Sequence, residues 1–487
     1  MSIQKFFKEA LQWKLAGGAQ SAGVATFATD PLTGGAVGVM DTTGAIIPFE
    51  KWKTSITGLP TCMSFGNSIS NLNRIGADGA AGDVTYSAPI WWALAFAGQP
   101  FSWVQTGADV QIGADVNSSL CQGVYRYSGA TSSSIVPFLG TVITPYAPAY
   151  CFLHLMENDI LQIVGASMTR AQAKANYLSV VTTLLSNKTI PIFVGCLPSK
   201  SFSSAAAAAE YWALTDYVES LQKTYPGMIY VPVTDLYMDS TLTTPQPLSS
   251  GTYANFTDAS VHPQVAAVLI GKRIADVLAL RGVKGFGLVP GSGDTRLIGG
   301  NAFTSGTAGT ASAPVTGTVV NSLTCANNTA TATIAAATID YQGRQAQQIS
   351  ITAGTSTGLQ NAFQLYTAPI SAGASTFAIG DTVQLFIEVT IDSATTLAGL
   401  RDLNTQLQMT GGANGVQMFA KSSGSLFDTT TIPSGTKMLI ATPLSVVSAG
   451  TTALRASLYG FASINAAAIT GKFYITKFAL VNWSKAN

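Results

Sequence analysis

The chain has 487 residues, which is enough for two or three domains with a core each. Charged residues make up 10% of the sequence, against roughly 25% in an average soluble domain. The formal net charge is +1, and no basic run or stripe could collect a nucleic-acid backbone, so we expect no nucleic-acid partner. Surfaces with so few charges are common in assemblies, and we expect a homo-oligomer, namely a homotrimer.

Residues 1–60 are rich in Gly and Thr and predict an N-terminal arm or attachment segment. Residues 1–18 alternate lysines with apolar residues, which is typical of a short amphipathic helix and unlike the uninterrupted apolar core of a signal peptide. Two strand-like stretches, 36–40 and 45–49, flank a turn and predict a small β-hairpin. Nowhere do about 18 uncharged apolar residues follow one another, so we expect no membrane span.

Between residues 61 and 281, short apolar runs alternate with helical patterns. The predicted strands are Thr61–Phe65, Phe101–Gln105, Tyr150–Leu155, Ile190–Cys196 and Met228–Val233. The predicted helices are Thr169–Ser186, Ala205–Tyr225 and Pro263–Leu280, whose apolar residues recur every three or four positions. Strands of continuous apolar character between helices are typical of a parallel sheet covered on both faces, and hence of the α/β class.

The sequence changes character after Arg281. A Gly-rich stretch, 282–300, predicts a linker. Residues 301–487 are rich in Thr, Ser, Ala and Val, and their short strand-like segments are separated by Gly, Ser and Asn turns. This pattern predicts a C-terminal β-sandwich of the jelly-roll kind, with carbohydrate binding or oligomerisation as its role.

Cysteine usage argues against disulfides and metal sites. The five cysteines are scattered, odd in number and form no CxxC pair. Cys62, Cys151 and Cys196 lie in apolar runs and are predicted to be core thiols. We therefore expect neither a metal nor a cofactor.

The first candidate for chemistry is a serine that follows a predicted strand. The strand Thr61–Phe65 leads into Gly66-Asn67-Ser68-Ile69. A serine at a sharp strand-to-helix turn exposes its hydroxyl, and its backbone N–H lies at a helix start, where negative charge is favoured. Taken alone, however, Gly-Asn-Ser is simply a turn sequence.

Two further segments follow later strands. The glycine that follows the strand near Trp103 is Gly107, and Gly113 is the alternative choice. A lone glycine after a strand is also an ordinary turn residue. Asn158-Asp159 comes after the strand that contains His154. An Asn-Asp pair at a strand end is equally typical of a helix cap or turn.

The chain contains only two histidines, His154 and His262. His154 lies within an apolar strand and is predicted to be a core residue with its hydrogen bonds satisfied. His262 precedes Pro263 and an Ala-rich helix, and Asp258 lies four residues before it. An imidazole at such a helix start is a candidate general base.

Taken in order, these four segments resemble the four sequence blocks of the SGNH (GDSL-like) hydrolases, over about Thr61–Leu280. The family blocks are usually Gly-Asp-Ser-(Leu/Ile), a glycine after the second strand, Gly-x-Asn-Asp and Asp-x-x-His-Pro. The resemblance implies a flavodoxin-like, three-layer α/β domain and a serine esterase. It implies Ser68 as nucleophile, His262 as general base, Asp258 as its orienting carboxylate, and an oxyanion hole formed by Ser68, Gly107 and Asn158.

This sequence departs from the family pattern at three positions. Asn67 replaces the usual Asp, Met156 replaces the usual Gly, and Asp258 precedes His262 by four residues instead of three. Either the loop bulges so that Asp258 reaches the imidazole, or a backbone carbonyl orients His262. A degenerate, non-catalytic homologue that binds glycan is the alternative.

The resemblance also implies a substrate class, namely carboxylic esters, including acetyl groups on carbohydrates. A β-rich C-terminal region after such a domain is similar to the sugar-binding or trimerising modules of phage tail fibres and tailspikes. We therefore expect a virion esterase, in contact with other virion proteins, that deacetylates bacterial surface polysaccharide. A stand-alone carbohydrate esterase and a structural receptor-binding virion protein are the other hypotheses.

Overall fold

A computed structural model describes residues 26–29, 36–40, 46–48, 57–75, 82–104, 110–111, 119–121, 123–126, 129–247, 262–263, 266–291, 293–299, 308–327, 333–352, 361–394, 400–412, 415–421, 432–462 and 470–485. Contacts divide the chain into two compact units. The first comprises residues 1–74, 100–263 and 272–284, and the second comprises residues 75–99, 264–271 and 285–487. The sequence placed 75–99 in the domain 61–281, whereas the contacts group this segment with the second unit. The predicted N-terminal helix lies outside the described residues.

The strands and helices are numbered in chain order. Strands of the N-terminal half are β1 (Thr26–Thr29), β2 (Ala36–Met40), β3 (Ile46–Pro48), β4 (Thr61–Gly66), β5 (Asp83–Thr85), β6 (Ser102–Trp103), β7 (Val110–Gln111), β8 (Ser119–Cys121), β9 (Val124–Arg126), β10 (Tyr150–His154), β11 (Ile190–Val194) and β12 (Ile229–Val231). Helices are α1 (Ser68–Asn71), α2 (Pro89–Ala97), α3 (Ser132–Ile135), α4 (Leu139–Tyr146), α5 (Met156–Val164), α6 (Arg170–Ser186), α7 (Ala205–Thr224) and α8 (Ala266–Leu280). Short 3-10 turns occupy Val136–Phe138, Lys200–Phe202 and Thr234–Leu236.

Strands of the C-terminal half are β13 (Ala308–Ala311), β14 (Thr316–Gly317), β15 (Val319–Asn327), β16 (Thr333–Tyr341), β17 (Arg344–Thr352), β18 (Asn361–Thr367), β19 (Ile370–Ser371), β20 (Thr382–Ile391), β21 (Leu400–Thr410), β22 (Val416–Lys421), β23 (Lys437–Ala441), β24 (Ser445–Val446), β25 (Ala453–Ala462) and β26 (Gly471–Asn482).

The main sheet of the first unit has the order β12-β11-β10-β4-β9-β8-β7, with β6 also paired to β4. The pairs from β12 to β9, and the β4–β6 pair, are parallel. Strands β8 and β7 extend this sheet as an antiparallel edge. The predicted α/β class of this region is therefore confirmed.

Burial explains the parallel arrangement. Every residue of β4, β10, β11 and β12 is buried, as expected when both faces of a parallel sheet are covered. Helix α6 begins with a capping box in which Thr169 and Gln172 satisfy each other's backbone N–H groups. The observed strand and helix bounds lie within a few residues of those predicted, and the hairpin of β2 and β3 is extended by β1 into a three-stranded sheet.

The second unit contains two mainly antiparallel sheets. One has the order β13-β15-β18-β25-β21-β22-β5, and the other has the order β14-β16-β17-β26-β20-β23. Buried Phe363 on β18 contacts buried Phe473 on β26 with ring centroids 5.7 Å apart, which joins the two sheets in one core. The β-rich class predicted for this region is confirmed, and the jelly-roll arrangement stays a prediction.

An early segment of the chain completes this unit. Strand β5 pairs in parallel with β22, over 300 positions later in the chain, and Trp92 of α2 packs edge-on against Phe419 at 4.9 Å. Every residue of α2 is buried. Gln99 donates from Nε2 to the Leu439 carbonyl at 2.9 Å. The segment 75–99 is thus an integral part of the β-rich core. Across the described part of the chain, no helix is both long and apolar enough to cross a membrane.

Candidate active site

Ser68 lies at a strand-to-helix turn. Strand β4 ends at Gly66, Asn67 caps the next helix by accepting from the Ile69 N–H at 2.9 Å, and Ser68 is the first residue of α1. Asn is among the preferred residues at this cap position. The N–H of a first helical residue has no carbonyl partner within its own helix, so the Ser68 N–H can serve as a donor beside its hydroxyl.

The turn is held close to the neighbouring strand. The Asn67 N–H donates to the His154 carbonyl at 3.0 Å, at the carboxyl end of β10. A side chain at Gly66 would place its Cβ well inside van der Waals contact with that carbonyl oxygen and with Ser70 Oγ. Glycine at position 66 is therefore required by the close approach of two backbones.

His262 contacts Ser68 directly. Its Nε2 lies 2.8 Å from Ser68 Oγ, although 194 positions separate the two residues. Both side chains are half-buried. An imidazole nitrogen at hydrogen-bond distance from a serine hydroxyl can accept the proton when that oxygen attacks a carbonyl carbon.

The third described candidate, Asn158, is the third residue of α5. Its Nδ2 donates to the Ala130 carbonyl at 2.8 Å, and the side chain is half-buried. A primary amide has two N–H donors, so this bond fixes the orientation of the amide and leaves the second donor for a ligand. Met156 begins α5, and the residue before it, Leu155, makes no side-chain cap hydrogen bond.

Asn158 and Ser68 lie at the same edge of the sheet. Strands β4 and β10 are parallel neighbours, with Gly66 paired to His154, and the two residues follow directly after their ends. The side chains of Asn67 and Glu157, which immediately precede Ser68 and Asn158, are joined by a hydrogen bond of 2.8 Å from Nδ2 to Oε2.

Glu157 is a residue that the sequence analysis did not single out. Its Oε1 accepts from the Leu197 N–H at 3.0 Å, so one carboxyl group links the loops that follow β4 and β11. Glu157 is fully buried, and this burial raises the pKa of its carboxyl. In the sequence, the only sign that Glu157 could hold these loops was its position directly before Asn158.

Asp159 supports the loop that carries Ala130. Its carboxyl oxygens accept from the Ser132 N–H at 2.8 Å and from the Tyr177 hydroxyl at 2.7 Å. Burial raises the pKa of this carboxyl as well. Through Ala130, two residues before Ser132, this anchor also helps to hold the Asn158 amide.

The prediction for His154 was only half right. The side chain is buried in β10, as expected of a core residue, but among the described residues neither ring nitrogen has a hydrogen-bond partner. Burial lowers the pKa of this imidazole to about 3. His154 is therefore neutral, and its contribution to the site comes from its backbone carbonyl, which accepts from the Asn67 N–H.

The remaining predicted site residues lie outside the described residues. These are Gly107 with its alternative Gly113, and Asp258. Within the described ranges, no group of three or more His, Cys, Asp or Glu side chains could hold a metal ion. The cysteines at 62, 151, 196 and 325 are free and buried.

No protein-family model and no curated protein matches the sequence. Several solved structures similar to part of the chain are lipases or esterases. A GDSL-like lipase from Bacteroides thetaiotaomicron is 16% identical, covers 47% of this chain and 91% of its own, and has a TM-score of 0.32. A carbohydrate esterase family 3 protein from Talaromyces cellulolyticus is 14% identical, with coverages of 46% and 98% and a TM-score of 0.31.

An acetylxylan esterase from Geobacillus stearothermophilus, solved as a catalytic mutant, is also 14% identical, with coverages of 47% and 96% and a TM-score of 0.33. The TM-scores of these three structures are low. The function of this protein must therefore be inferred from the geometry of its own site.

Proposed function

We propose that the protein is a serine esterase in which Ser68 is the nucleophile and His262 the general base. The observation that supports this most directly is the 2.8 Å contact between Ser68 Oγ and His262 Nε2 at the carboxyl edge of a parallel sheet. Ligand sites of open α/β sheets lie at this edge.

In the proposed mechanism, Ser68 Oγ attacks the carbonyl carbon of the ester as His262 Nε2 takes up the hydroxyl proton. The negative charge that develops on the carbonyl oxygen is stabilised by the Ser68 N–H and by the Asn158 amide, with the Gly107 N–H as the third proposed donor. His262 then gives the proton to the leaving alcohol. Water, deprotonated in turn by His262, releases the acid and restores Ser68.

The substrate that we propose is an acetyl ester on a bacterial surface polysaccharide. Ser68, Asn158 and His262 are all half-buried, which suits a small acyl group presented on a bulky alcohol better than a long acyl chain that needs a deep apolar pocket. The sparse charge of the chain and its β-rich second unit support a role as a homotrimer in a phage virion, beside other virion proteins.

The test is hydrolysis of p-nitrophenyl acetate by the purified chain. We expect Ser68→Ala and His262→Ala each to lower kcat by at least about 10³-fold, and the double variant to lose little more, because members of one catalytic unit are not additive. Ser70→Ala is the matched control. It removes a hydroxyl two residues away that is buried and has no partner among the described residues, and it should retain activity.

Circular dichroism must show that each variant is folded. Full activity in folded Ser68→Ala would place the chemistry elsewhere. A wild-type chain with no activity on acetyl esters would overturn the esterase proposal in favour of glycan binding without turnover.

A further inference from the structure

The second unit contains a polar pocket of about 150 Å³. Side chains from five neighbouring strands and one hairpin turn line it, among them Tyr341, Arg344, Glu388, Thr390, Lys437 and Thr476. Ligand pockets for drug-sized molecules occupy roughly 300–1,000 Å³. A pocket of about 150 Å³ can hold one ring-sized group, while the rest of a larger ligand extends into solvent.

An irregularity in the sheet builds this pocket. Strands β20 and β26 pair Glu388 with Lys477 and Val389 with Ile475, so Thr476 is an extra residue on β26. Such a β-bulge re-aims the side chains around it and is common beside functional sites. The Thr476 hydroxyl donates to Glu388 Oε1 at 2.6 Å.

Glu388 is buried in the pocket wall and lies close to two cations, Lys437 and Arg344. Its side chain is 5% exposed, and Lys437 Nζ lies 3.1 Å from Oε1. The Arg344 guanidinium is 3.8 Å from the same oxygen, beyond hydrogen-bond distance, and is 67% exposed. Lys437 and Thr476 are thus the nearer partners of Glu388. Among the described residues the Arg344 side chain has this long ion pair and no hydrogen bond, so its donors can reach a ligand.

The lining residues carry a surplus of positive charge. Two cations, Arg344 and Lys437, face one carboxylate, Glu388. Lys477 lies beside them; burial lowers its pKa, the charge of Glu388 acts in the opposite direction, and the charges of Arg344 and Lys437 lower it again. An anionic group in the pocket would be attracted by the surplus cation, and a planar carboxylate fits the two-pronged donor geometry of a guanidinium.

Neutral groups complete the lining. Hydroxyls of Tyr341 and Thr390 offer donors and acceptors within the same pocket, and Thr476 Oγ1, which donates its proton to Glu388, offers an acceptor. Tyr341 stacks on Tyr474 at 4.1 Å between ring centroids, so its ring is held in place. A fixed aromatic ring provides a surface for the C–H groups of a sugar ring, while the hydroxyls can bond its oxygens.

We propose that this pocket binds one residue of a saccharide that carries a carboxylate. The proposal requires hydroxyl-bonding groups, an aromatic surface and a guanidinium with free donors, and this pocket provides all three. Binding here does not depend on ester hydrolysis by the first unit. If both proposals hold, the glycan partner is an acidic polysaccharide.

The test is calorimetric titration of the full chain carrying Ser68→Ala, so that turnover plays no part. The probe is trigalacturonate, compared with its fully methyl-esterified form, which keeps the hydroxyls and lacks the charge. We expect Arg344→Gln to weaken trigalacturonate binding by roughly ten- to a hundredfold, the value of a hydrogen bond to a charged group. Arg344→Lys keeps the positive charge but loses the paired donors of the guanidinium. Its affinity for trigalacturonate should lie between those of the parent and of Arg344→Gln.

Lys223→Gln is the matched control, since it removes one exposed positive charge from a helix of the first unit. It should bind trigalacturonate as the parent does. Equal binding of the acid and its methyl ester, or an affinity that Arg344→Gln leaves unchanged, would overturn the proposal. So would displacement of trigalacturonate by equimolar sulfate or phosphate, because the pocket would then select an oxyanion and not a sugar.

Discussion

At the scale of single residues, the acid that supports the loop carrying Ser68 is Glu157, in the first turn of α5. It accepts from the Asn67 amide at 2.8 Å and from the Leu197 N–H at 3.0 Å in a fully buried position. The amide of Asn67 suits this position because it can donate to the Glu157 carboxyl. An Asp at position 67 would face a second buried carboxylate, which is electrostatically unfavourable.

We therefore predict that Asn67→Asp destabilises the protein by roughly 3 kcal/mol or more at about pH 8, because one of two buried carboxyls must remain charged without a partner or take up a proton. The loss should be smaller at about pH 5, where a proton is readily shared by the pair. Urea unfolding at both pH values measures it.

The control for this prediction adds Glu157→Gln to Asn67→Asp. One carboxylate and one amide then face each other again, and the Leu197 N–H keeps an acceptor, so stability should largely return. An Asn67→Asp variant as stable as wild type at both pH values would show that Glu157 does not hold the loop in the way described.

His154 gives a second prediction at this scale. The pKa of its buried imidazole is lowered to about 3, whereas an unfolded chain takes up this proton near pH 6.5. The unfolded state therefore binds more protons between these values, and acidification through this window should cost about 1.4 kcal/mol of stability per pH unit from this residue.

Replacing His154 by Leu removes both the titration and two nitrogens that have no partner among the described residues. His154→Leu should be at least as stable as wild type near neutral pH and should lose less stability between about pH 6 and pH 4. Urea unfolding across this range measures the difference. Parallel stability curves for the two proteins would mean that the imidazole is not held neutral.

At the scale of elements, the close approach of β4 to β10 positions Ser68. Gly66→Ala would force its new methyl group against the His154 carbonyl and push the β4–α1 turn outwards. We predict a loss of roughly 1–3 kcal/mol in stability from overpacking. Ester hydrolysis should fall by about a hundredfold if Ser68 moves by about 1 Å.

The matched control is Gly140→Ala. Gly140 lies in α4 with open space around it, and alanine favours a helix over glycine by about 1 kcal/mol, so this variant should retain activity and be slightly more stable. Kinetics and thermal unfolding of both variants check the pair of predictions. A fully active Gly66→Ala would show that the turn can shift without displacing Ser68 from His262.

At the scale of the whole molecule, the two units are not consecutive along the chain. Residues 75–99 belong to the β-rich unit, where β5 pairs with β22 and Trp91 and Trp92 pack against Phe419. The sequence predicted a simple boundary within 282–300. The contacts show instead that residues 75–99 belong to the β-rich unit, although they lie in the chain between the Ser68 segment and the rest of the first unit.

This insertion predicts the behaviour of a truncated chain. A fragment that ends at Lys284 keeps the wholly buried helix α2 but loses its partner strands, which exposes a large apolar surface. We expect this fragment to aggregate on expression or to bind a hydrophobic dye strongly. A soluble fragment with a cooperative thermal transition would contradict this expectation; size-exclusion chromatography and calorimetry distinguish the outcomes.

The sequence by itself determined the local features of this protein. The apolar runs 61–65, 150–155 and 190–196 predicted three buried strands to within two residues, because side-chain periodicity is a property of neighbouring positions. The sequence also identified Ser68 and His262, because each lies within a short recognisable pattern, Gly-Asn-Ser-Ile and His-Pro. The structure places the two side chains in contact.

Only the tertiary structure decided which distant groups meet. The bond between Asn67 and Glu157, the pairing of β5 with β22 and the pocket around Glu388 each join residues that are 90 or more positions apart or lie on different strands. Which strands become neighbours depends on the packing of the whole core, and neither spacing nor composition encodes it locally. For this reason the sequence indicated Ser68 and His262, while the Glu157 carboxyl group, which holds the loop of Ser68, became visible only in the fold.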